Sequence, residues 1–349
     1  MPYNELRRDY LLDRWVVIAT ERARRPTDLA KQKVAEQGKS ASCPLCPTNE
    51  NMTPPAVLVY LPDATRGGNV KKDADHDGFR HKNWVIRCIP NLFPAFSPPT
   101  QESDVNHVLE NDTFGYAIGH HEVIVESPNH TDHPANADIP QLTHLVNAYK
   151  DRLKELSTKP YVKYVQIFRN HGSDAGASLS HAHSQVIATP FTPKVLSDEM
   201  TASRSYHERN SRCIFCDLIK RETQTPRHIM DNEHFAVFSP YASIHPLEFW
   251  VLPKRHSINF IDLTEEETKA FAETLKATMQ ALKKVANDPP YNYGFHLALS
   301  RDTREYYHWH LEVYPKLTIW AGFEKSTGVY INTVPPETAA AELKKAISN

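Results

Sequence analysis

The 349-residue chain has few cysteines, only five, and no run of about 18 consecutive apolar residues. A run of that length is the minimum for a helix that crosses a membrane, so we expect no transmembrane segment. The first residues, Met1 to Glu5, also lack the basic and then apolar pattern of a secretory signal. The sequence therefore predicts a cytoplasmic location, where thiols are rarely paired as disulfides.

Neither sign of charge is in excess. The formal net charge is -2 and the isoelectric point is about 6.8. The chain lacks the overall basic excess of a nucleic-acid-binding protein and the acidic tail of a disordered arm. The hydrophobic share of 40% and the charged share of 23% are ordinary for a globular protein. The length is enough for two domains or one duplicated unit.

Four of the five cysteines form two Cys-x-x-Cys pairs, Cys43/Cys46 and Cys213/Cys216. Paired cysteines in a chain without a secretion signal are typical of metal ligands or redox centres. The fifth, Cys88, lies in an apolar stretch and is expected to be a buried thiol. Histidine, in contrast, is abundant, with 19 residues.

One order of features occurs twice along the chain. Each cysteine pair is followed by a strand-like run that ends in a histidine, then by an amphipathic helix and a His-x-His. His181 lies 51 positions after His130, and His308 lies 52 positions after His256. An insertion around residues 51–110, rich in Pro, Asp and His, lengthens the first half. We predict an α+β fold of duplicated units, 1–195 and 196–349, with mainly antiparallel sheets and helices packed on one face.

The helices of this duplicated unit can be placed by their apolar spacing. Apolar residues keep helical spacing after Asp138, and again after Thr264, which forms a capping box with Glu267. A last helix is expected from about Pro336 to Ile347, with proline near its first turn.

Two cysteines and two histidines satisfy a tetrahedral, closed zinc site of structural type. A redox dithiol and buried thiols without metal are the alternatives, and iron is an alternative metal at the second site. A zinc finger for nucleic acid is disfavoured, because the histidines are distant in sequence and no basic helix follows. The repeat assigns the ligands Cys43, Cys46, His130 and His181 to one site, and Cys213, Cys216, His256 and His308 to the other.

The run His181-Ala182-His183-Ser184-Gln185 contains a candidate nucleophile. With His181 on metal, His183 would be free, and a neutral imidazole is a competent nucleophile at phosphorus. The amide of Gln185 shares its face of the strand and can donate to charged phosphoryl oxygens. The small-residue loop at 170–178 can bring backbone N–H groups against phosphate.

The second half has no such loop and continues His308-Trp-His310 with Leu311-Glu312. We therefore expect a single catalytic half. His296, His310 and Glu312 would line a second-substrate pocket, form an additional metal site, or be structural.

These residues resemble the histidine-triad superfamily and, within it, the galactose-1-phosphate uridylyltransferase branch, over nearly the whole chain. The most specific stretch runs from Gln166 to Gln185. The resemblance implies that His183 becomes nucleotidylated, that Gln185 contacts the transferred phosphoryl group, and that Cys43, Cys46, His130 and His181 hold zinc. It also implies a homodimer. The positions that it assigns to substrate binding are Phe168, Asn170, Gly176 and Ser178 at the nucleotide, and Arg22 and Arg25 at phosphate.

The chain departs from that family's pattern at three places. His-Ala-His-Ser-Gln stands for His-Pro-His-Gly-Gln, Asn91-Leu92 for an Asn-Asp pair at the nucleotide site, and Tyr330 for a glutamine that reads the hexose. The resemblance thus also assigns Asn91 and Tyr330 to substrate binding. These features and the second Cys-x-x-Cys are also similar to the plant ADP-glucose phosphorylases.

We predict a double displacement in which UDP-glucose nucleotidylates His183 and galactose 1-phosphate accepts the UMP. ADP-glucose with inorganic phosphate is the alternative pair of substrates. A histidine-triad hydrolase and a non-enzymatic zinc-binding module are further alternatives.

Overall fold

The computed structural model describes residues 4–20, 43–63, 70–101, 104 and 115–348. The strands are β1 Glu5–Arg8, β2 Trp15–Ile18, β3 Leu58–Pro62, β4 Val70–Asp73, β5 Ile86–Pro90, β6 His120–Val125, β7 Tyr164–His171, β8 His183–Thr189, β9 His228–Asp231, β10 Phe235–Phe238, β11 Phe249–Pro253, β12 Tyr291–His296, β13 His310–Pro315 and β14 Tyr330–Asn332. The α-helices are α1 Ile139–Leu156, α2 Lys194–Asn210, α3 Ile214–Glu222, α4 Glu265–Ala286, α5 Gly322–Thr327 and α6 Pro336–Ser348.

Eleven strands form one sheet in the order β4-β3-β5-β6-β8-β7-β12-β13-β11-β10-β9. The run β5-β6-β8-β7 of the first half recurs in the second half as β10-β11-β13-β12. The two runs meet where β7 pairs with β12, with Phe168 opposite Gly294. All pairs in this sheet are antiparallel, so the predicted α+β fold with mainly antiparallel sheets is confirmed. The limits 1–195 and 196–349 stay a prediction, and α2 occupies the junction between them.

The two amphipathic helices begin at the caps that the sequence indicates. Asp138 accepts a hydrogen bond from the backbone of Gln141 at the start of α1. Thr264 and Glu267 form both bonds of the capping box of α4. The apolar stripes of α1 and α4 bury against one face of the sheet, and α4 also contacts α6. None of the helices in the described ranges is long and apolar enough to cross a membrane.

The two faces of the sheet differ in what they carry. On β8, Val186 and Ala188 point into the core beneath α1, whereas His183 and Gln185 alternate with them and face the other side. In the second half α3 packs on that other side, against Phe238 and other residues of β10 and β11. The first half instead presents polar side chains there, and these form the candidate site.

A smaller sheet has the order β1-β2-β14, with β1 antiparallel and β14 parallel to β2. Its apolar residues Val16 and Ile18 pack on Ala242 and Ile244 of the second half. This sheet joins the chain's beginning to its last strand.

Candidate active site and metal centres

His183 is the first residue of β8 and is 7% exposed. Its Nδ1 lies 2.8 Å from the carbonyl oxygen of His181, two residues earlier. A carbonyl only accepts, so Nδ1 carries the proton and Nε2 carries the lone pair. Burial lowers the pKa of His183, which keeps the imidazole neutral near pH 7.

The contacts of Nε2 differ between His183 and His310, its counterpart in the other half. His310 repeats the Nδ1 contact, 3.2 Å from the carbonyl of His308, but its Nε2 contacts Glu312 at 3.2 Å. Within the described part of the chain no hydrogen bond engages Nε2 of His183. Of these two equivalent histidines, His183 therefore has the unengaged Nε2 within the described residues, and a single catalytic half stays a prediction.

Gln185 lies on the same face of β8 as His183. Its Oε1 is 2.8 Å from Nε2 of His121 on β6. Asn91, predicted to bind substrate, is beside this pair, with its Nδ2 3.1 Å from the same nitrogen of His121. Sequence reasoning missed His121. The alternation along β6 was the signal that could have found it, because His121 is two residues before Val123, which is opposite Gln185.

The predicted nucleotide-site residues on β7 gather next to this strand. Phe168 is opposite Gln185 on one side and Gly294 on the other. Asn170 accepts a hydrogen bond from Asn292 of β12, whose amide also donates to the carbonyl of Ala175. The second half of the chain therefore holds the small-residue loop in place.

The loop itself turns at two glycines with positive φ. Gly172 has φ +80° and an added Cβ would lie 2.9 Å from Pro290, so no larger residue fits there. Gly176 has φ +86°, which L side chains rarely adopt. Ser178, further along, is exposed at the end of the loop. Phe168, Asn170, Gly176 and Ser178 are thus all on β7 or on the loop that leads to β8.

The remaining predicted substrate-binding residues are Arg22, Arg25 and Tyr330. Arg22 and Arg25 lie outside the described residues. Tyr330 is on β14 of the smaller sheet, with its ring 4.7 Å from that of Trp320. The structure does not place Tyr330 on the strands that carry His183 and Gln185.

A buried polar network lies on the face of β8 opposite to His183 and Gln185. Ser184, between His183 and Gln185, donates to Glu126 at 2.8 Å and contacts the hydroxyl of Tyr149 at 2.7 Å. Glu126 pairs with Arg169, and both side chains are almost fully buried. Such charges are stable in a core only when they are paired and hydrogen-bonded, so the network fixes β7 and β8 relative to each other. Sequence reasoning did not find it.

Cys43, Cys46, His130 and His181 converge, as the repeat predicts. Cys46 Sγ lies 3.2 Å from Nδ1 of His130 and 3.4 Å from Nδ1 of His181. Cys43 Sγ is 3.8 Å from the same atom of His181. Zinc bonds of about 2.0 to 2.3 Å in a tetrahedron would separate ligands by about 3.3 to 3.8 Å.

The other ring nitrogens of these histidines also fit a metal. Nε2 of His181 lies 2.8 Å from the carbonyl of Ser127, and Nε2 of His130 lies 2.9 Å from the hydroxyl of Ser180. A proton on Nε2 leaves the Nδ1 lone pair directed at the thiols, as metal-binding histidines require.

Cys213, Cys216, His256 and His308 repeat this arrangement. Cys216 Sγ lies 3.3 Å from Nδ1 of His256 and 3.6 Å from Nδ1 of His308. Both histidines direct Nε2 at carbonyls, those of Arg304 and Pro253. Hydrogen bonding from Cys213 lowers the pKa of Cys216 to about 2. A metal would hold the same thiolate.

Glu199 of α2 joins His296, His310 and Glu312 in a third, fully buried cluster. His296 Nδ1 is 2.9 Å from Glu199, which also accepts a hydrogen bond from Tyr307 at 3.0 Å. Glu312 accepts from Tyr314 as well as contacting His310. The neighbouring carboxylates outweigh burial and raise the pKa of His296 to about 9. These side chains contact one another and could hold a metal ion; the three readings from the sequence, a second-substrate pocket, an additional metal site and a structural cluster, stay predictions.

Comparison with known proteins identifies the family of this chain. A family model described as a domain of unknown function (DUF4921) matches residues 97–349. The chain is 33% identical to ADP-glucose phosphorylase of Arabidopsis thaliana, over 98% of this chain and 92% of that protein. It is 28% identical to galactose-1-phosphate uridylyltransferase of Thermotoga maritima, over 98% of each.

The crystal structure of an Arabidopsis thaliana ADP-glucose phosphorylase with bound ADP-glucose has the same fold. It matches with a TM-score of 0.81 and 32% identity, over 98% of this chain and 99% of that one. The chain therefore belongs to the galactose-1-phosphate uridylyltransferase family of nucleotidyltransferases, which extends to ADP-glucose phosphorylase.

Proposed function

We propose that this protein transfers a nucleoside monophosphate from a nucleotide sugar through a covalent intermediate on His183. The observation that carries the proposal is the state of that imidazole. Its Nδ1 is held by the carbonyl of His181, and its Nε2 is unengaged among the described residues and shares a face with the carboxamide of Gln185. A buried, neutral, oriented imidazole is what nucleophilic attack at phosphorus requires.

In the first step the Nε2 lone pair attacks the α-phosphorus of the donor. The bond from phosphorus to the bridging oxygen breaks, and the sugar 1-phosphate leaves with that electron pair. The positive charge that develops on the ring is stabilised by the Nδ1–H bond to the His181 carbonyl. In the second step an oxygen of the acceptor phosphate attacks the same phosphorus, and the bond to Nε2 breaks.

Gln185 donates its amide N–H to the phosphoryl oxygens as charge accumulates on them. Phe168, Asn170, Gly176 and Ser178 hold the nucleotide, with Asn91 at the edge next to His121. Arg22 and Arg25 contribute charge to phosphate, and Tyr330 contacts the sugar. These roles follow from the positions of the residues in the family pattern.

We propose UDP-glucose as the donor and galactose 1-phosphate as the acceptor. The full-length similarity to the Thermotoga maritima uridylyltransferase supports this pair. The second candidate pair is ADP-glucose and inorganic phosphate. It is supported by the 33% identity with the Arabidopsis ADP-glucose phosphorylase and by the fold match to its complex with ADP-glucose.

The two Cys₂His₂ sites fit zinc, with iron as the alternative at the second. Zinc at the first site would stiffen the segment from His181 to His183 that aims the nucleophile. We further propose a homodimer in the cytoplasm, with sugar phosphates rather than nucleic acid or membranes as partners. Metal analysis and sedimentation of the purified protein test these points.

The deciding experiment is exchange of labelled glucose 1-phosphate into UDP-glucose and, in parallel, into ADP-glucose. We expect exchange without a second substrate, because the first step is reversible, and an acid-labile nucleotide on the protein. The preferred donor identifies the base. Absence of exchange with both donors would refute nucleotidyl transfer and favour the non-enzymatic alternative. Rapid release of free nucleotide to water would favour the hydrolase.

A further inference from the structure

We propose that His121 is a positioning residue that orients the carboxamide of Gln185 so that its NH₂ group faces the transferred phosphoryl group. The inference deepens the proposed function and rests on it. The orientation matters because an amide has one donor end and one acceptor end. Only the donor end stabilises a phosphoryl group in the transition state.

A backbone amide decides the tautomer of His121. The N–H of Ala95 donates to Nδ1 of His121 at 3.1 Å. A backbone N–H can only donate, so Nδ1 must be unprotonated. A neutral imidazole with a bare Nδ1 carries its proton on Nε2.

The tautomer of His121 in turn decides the direction of the Gln185 amide. Nε2 of His121 lies 2.8 Å from Gln185. Since that nitrogen donates, the atom facing it must be the oxygen Oε1, and the NH₂ group must point away. The amide nitrogen of Asn91 is 3.1 Å from the same protonated nitrogen, which cannot accept from it. Asn91 instead accepts from the backbone of Phe93 at 2.9 Å.

The fold holds the segment that contains Ala95 against β6. Backbone bonds connect Asn91 to His121 and Ser97 to Gly119, each at 2.8 Å. A glycine is needed at Gly119, because an added Cβ would lie 2.1 Å from the carbonyl oxygen of Ala188 on β8 and 3.2 Å from Cβ of Phe96 in this segment. The segment from Asn91 to Ser97 therefore fixes Ala95 relative to His121.

The second half of the chain provides an internal comparison. His121 is opposite Ile187 of β8. In the second half, the register between β11 and β13 puts Glu248 at the position equivalent to His121, and Glu312 at the position equivalent to Gln185. Glu248 accepts hydrogen bonds from the backbone of Ile244 and His245 instead. The pair of His121 and Gln185 thus belongs to the half that carries His183, whose Nε2 is unengaged among the described residues, and it is not repeated beside His310.

The test is a double-mutant cycle on the rate of nucleotidyl-His183 formation. We expect His121→Ala to lower kcat roughly tenfold to a hundredfold while KM changes little, because a misdirected amide loses a contact made in the transition state. In a Gln185→Ala background the same substitution should have no further effect. His121→Gln, which keeps a donor for Oε1, should recover part of the rate.

The matched control is His120→Ala on the same strand. His120 faces the opposite side and contacts the hydroxyl of Tyr161 at 2.8 Å. The His120→Ala substitution should leave kcat unchanged. A His121→Ala variant with the kcat of the wild type, or a further loss in the Gln185→Ala background, would overturn the inference.

The tautomer gives a readout that does not depend on activity. ¹⁵N NMR of histidine-labelled protein, assigned with His121→Gln, should show an unprotonated Nδ1 and a protonated Nε2 for His121. A proton on Nδ1 would sink the inference even in an active enzyme. A protein that shows the expected tautomer but transfers no nucleotide would instead refute the proposed function, so the two failures are distinguishable.

Discussion

The Nδ1 of His183 lies 2.8 Å from the carbonyl oxygen of His181, whose own Nδ1 faces two cysteine thiols. One residue thereby serves two parts of the site. The ring of His181 completes a Cys₂His₂ set, and its backbone sets the tautomer of the candidate nucleophile. A metal that fixes the ring of His181 would also fix the carbonyl that orients His183.

Replacing His183 by asparagine should abolish nucleotide labelling and lower exchange by at least about a thousandfold, because it removes the imidazole Nε2 that attacks phosphorus in the proposed function. His310→Asn is the control, since His310 occupies the equivalent place in the second half and its Nε2 is engaged by Glu312. It should still become labelled if it folds, as checked by circular dichroism. Labelling of His183→Asn would refute the assignment.

The two proposed metal centres should differ in their effect on the exchange rate. Cys46→Ser should remove one metal per chain and reduce exchange strongly, because the strand that aims His183 loses its anchor. Cys213→Ser should also remove one metal per chain and lower the melting temperature. It should reduce the exchange rate less than Cys46→Ser does. Metal analysis by mass spectrometry and exchange assays check both. Equal loss of activity in the two variants would contradict a purely structural second site.

Removal of the Ser184 hydroxyl should destabilise the fold. Ser184→Ala leaves Glu126 and Tyr149 each short of a buried hydrogen bond, which costs about 1 to 3 kcal/mol in free energy of unfolding. Chemical denaturation measures it. The exposed Ser197→Ala on α2 is the control and should change that free energy by less than about 0.5 kcal/mol.

The cap of α4 should make stability depend on pH. Hydrogen bonds from Arg255, at 2.6 and 2.8 Å, lower the pKa of Glu267 to about 2. A carboxyl with a lowered folded-state pKa contributes stability above its unfolded pKa of about 4.3, and this contribution is lost as the pH falls towards 2. Glu267→Gln should therefore be less stable than the wild type by about 1 kcal/mol at pH 7.

The difference between Glu267→Gln and the wild type should shrink between about pH 4.3 and pH 2. Denaturation at several pH values measures this trend. Glu265→Gln, at an exposed position of the same first turn, should show little of it. A constant difference across that range would contradict the ion pair as its source.

Features that depend on neighbours in sequence could be predicted from the sequence. The caps at Asp138 and Thr264 and the apolar spacing behind them placed α1 and α4, because a helix is closed by bonds four residues apart. The two Cys₂His₂ clusters could also be predicted, because the duplication supplied the long-range pairing that one cysteine pair cannot. The helix α2 was missed, since only a few of its residues, such as Leu196 and Ser203, are buried.

The tertiary structure alone decided which distant side chains meet. His121 and Gln185 are 64 positions apart, and Glu199 and His296 are 97 apart. Those contacts depend on the register between strands and on the docking of α2, which arise from packing of the whole sheet rather than from local periodicity. The sequence determined that one half carries a His-x-His followed by a glutamine and preceded by the small-residue loop. The fold determined that its imidazole has one nitrogen held and the other unengaged among the described residues, whereas Glu312 engages the second nitrogen of His310.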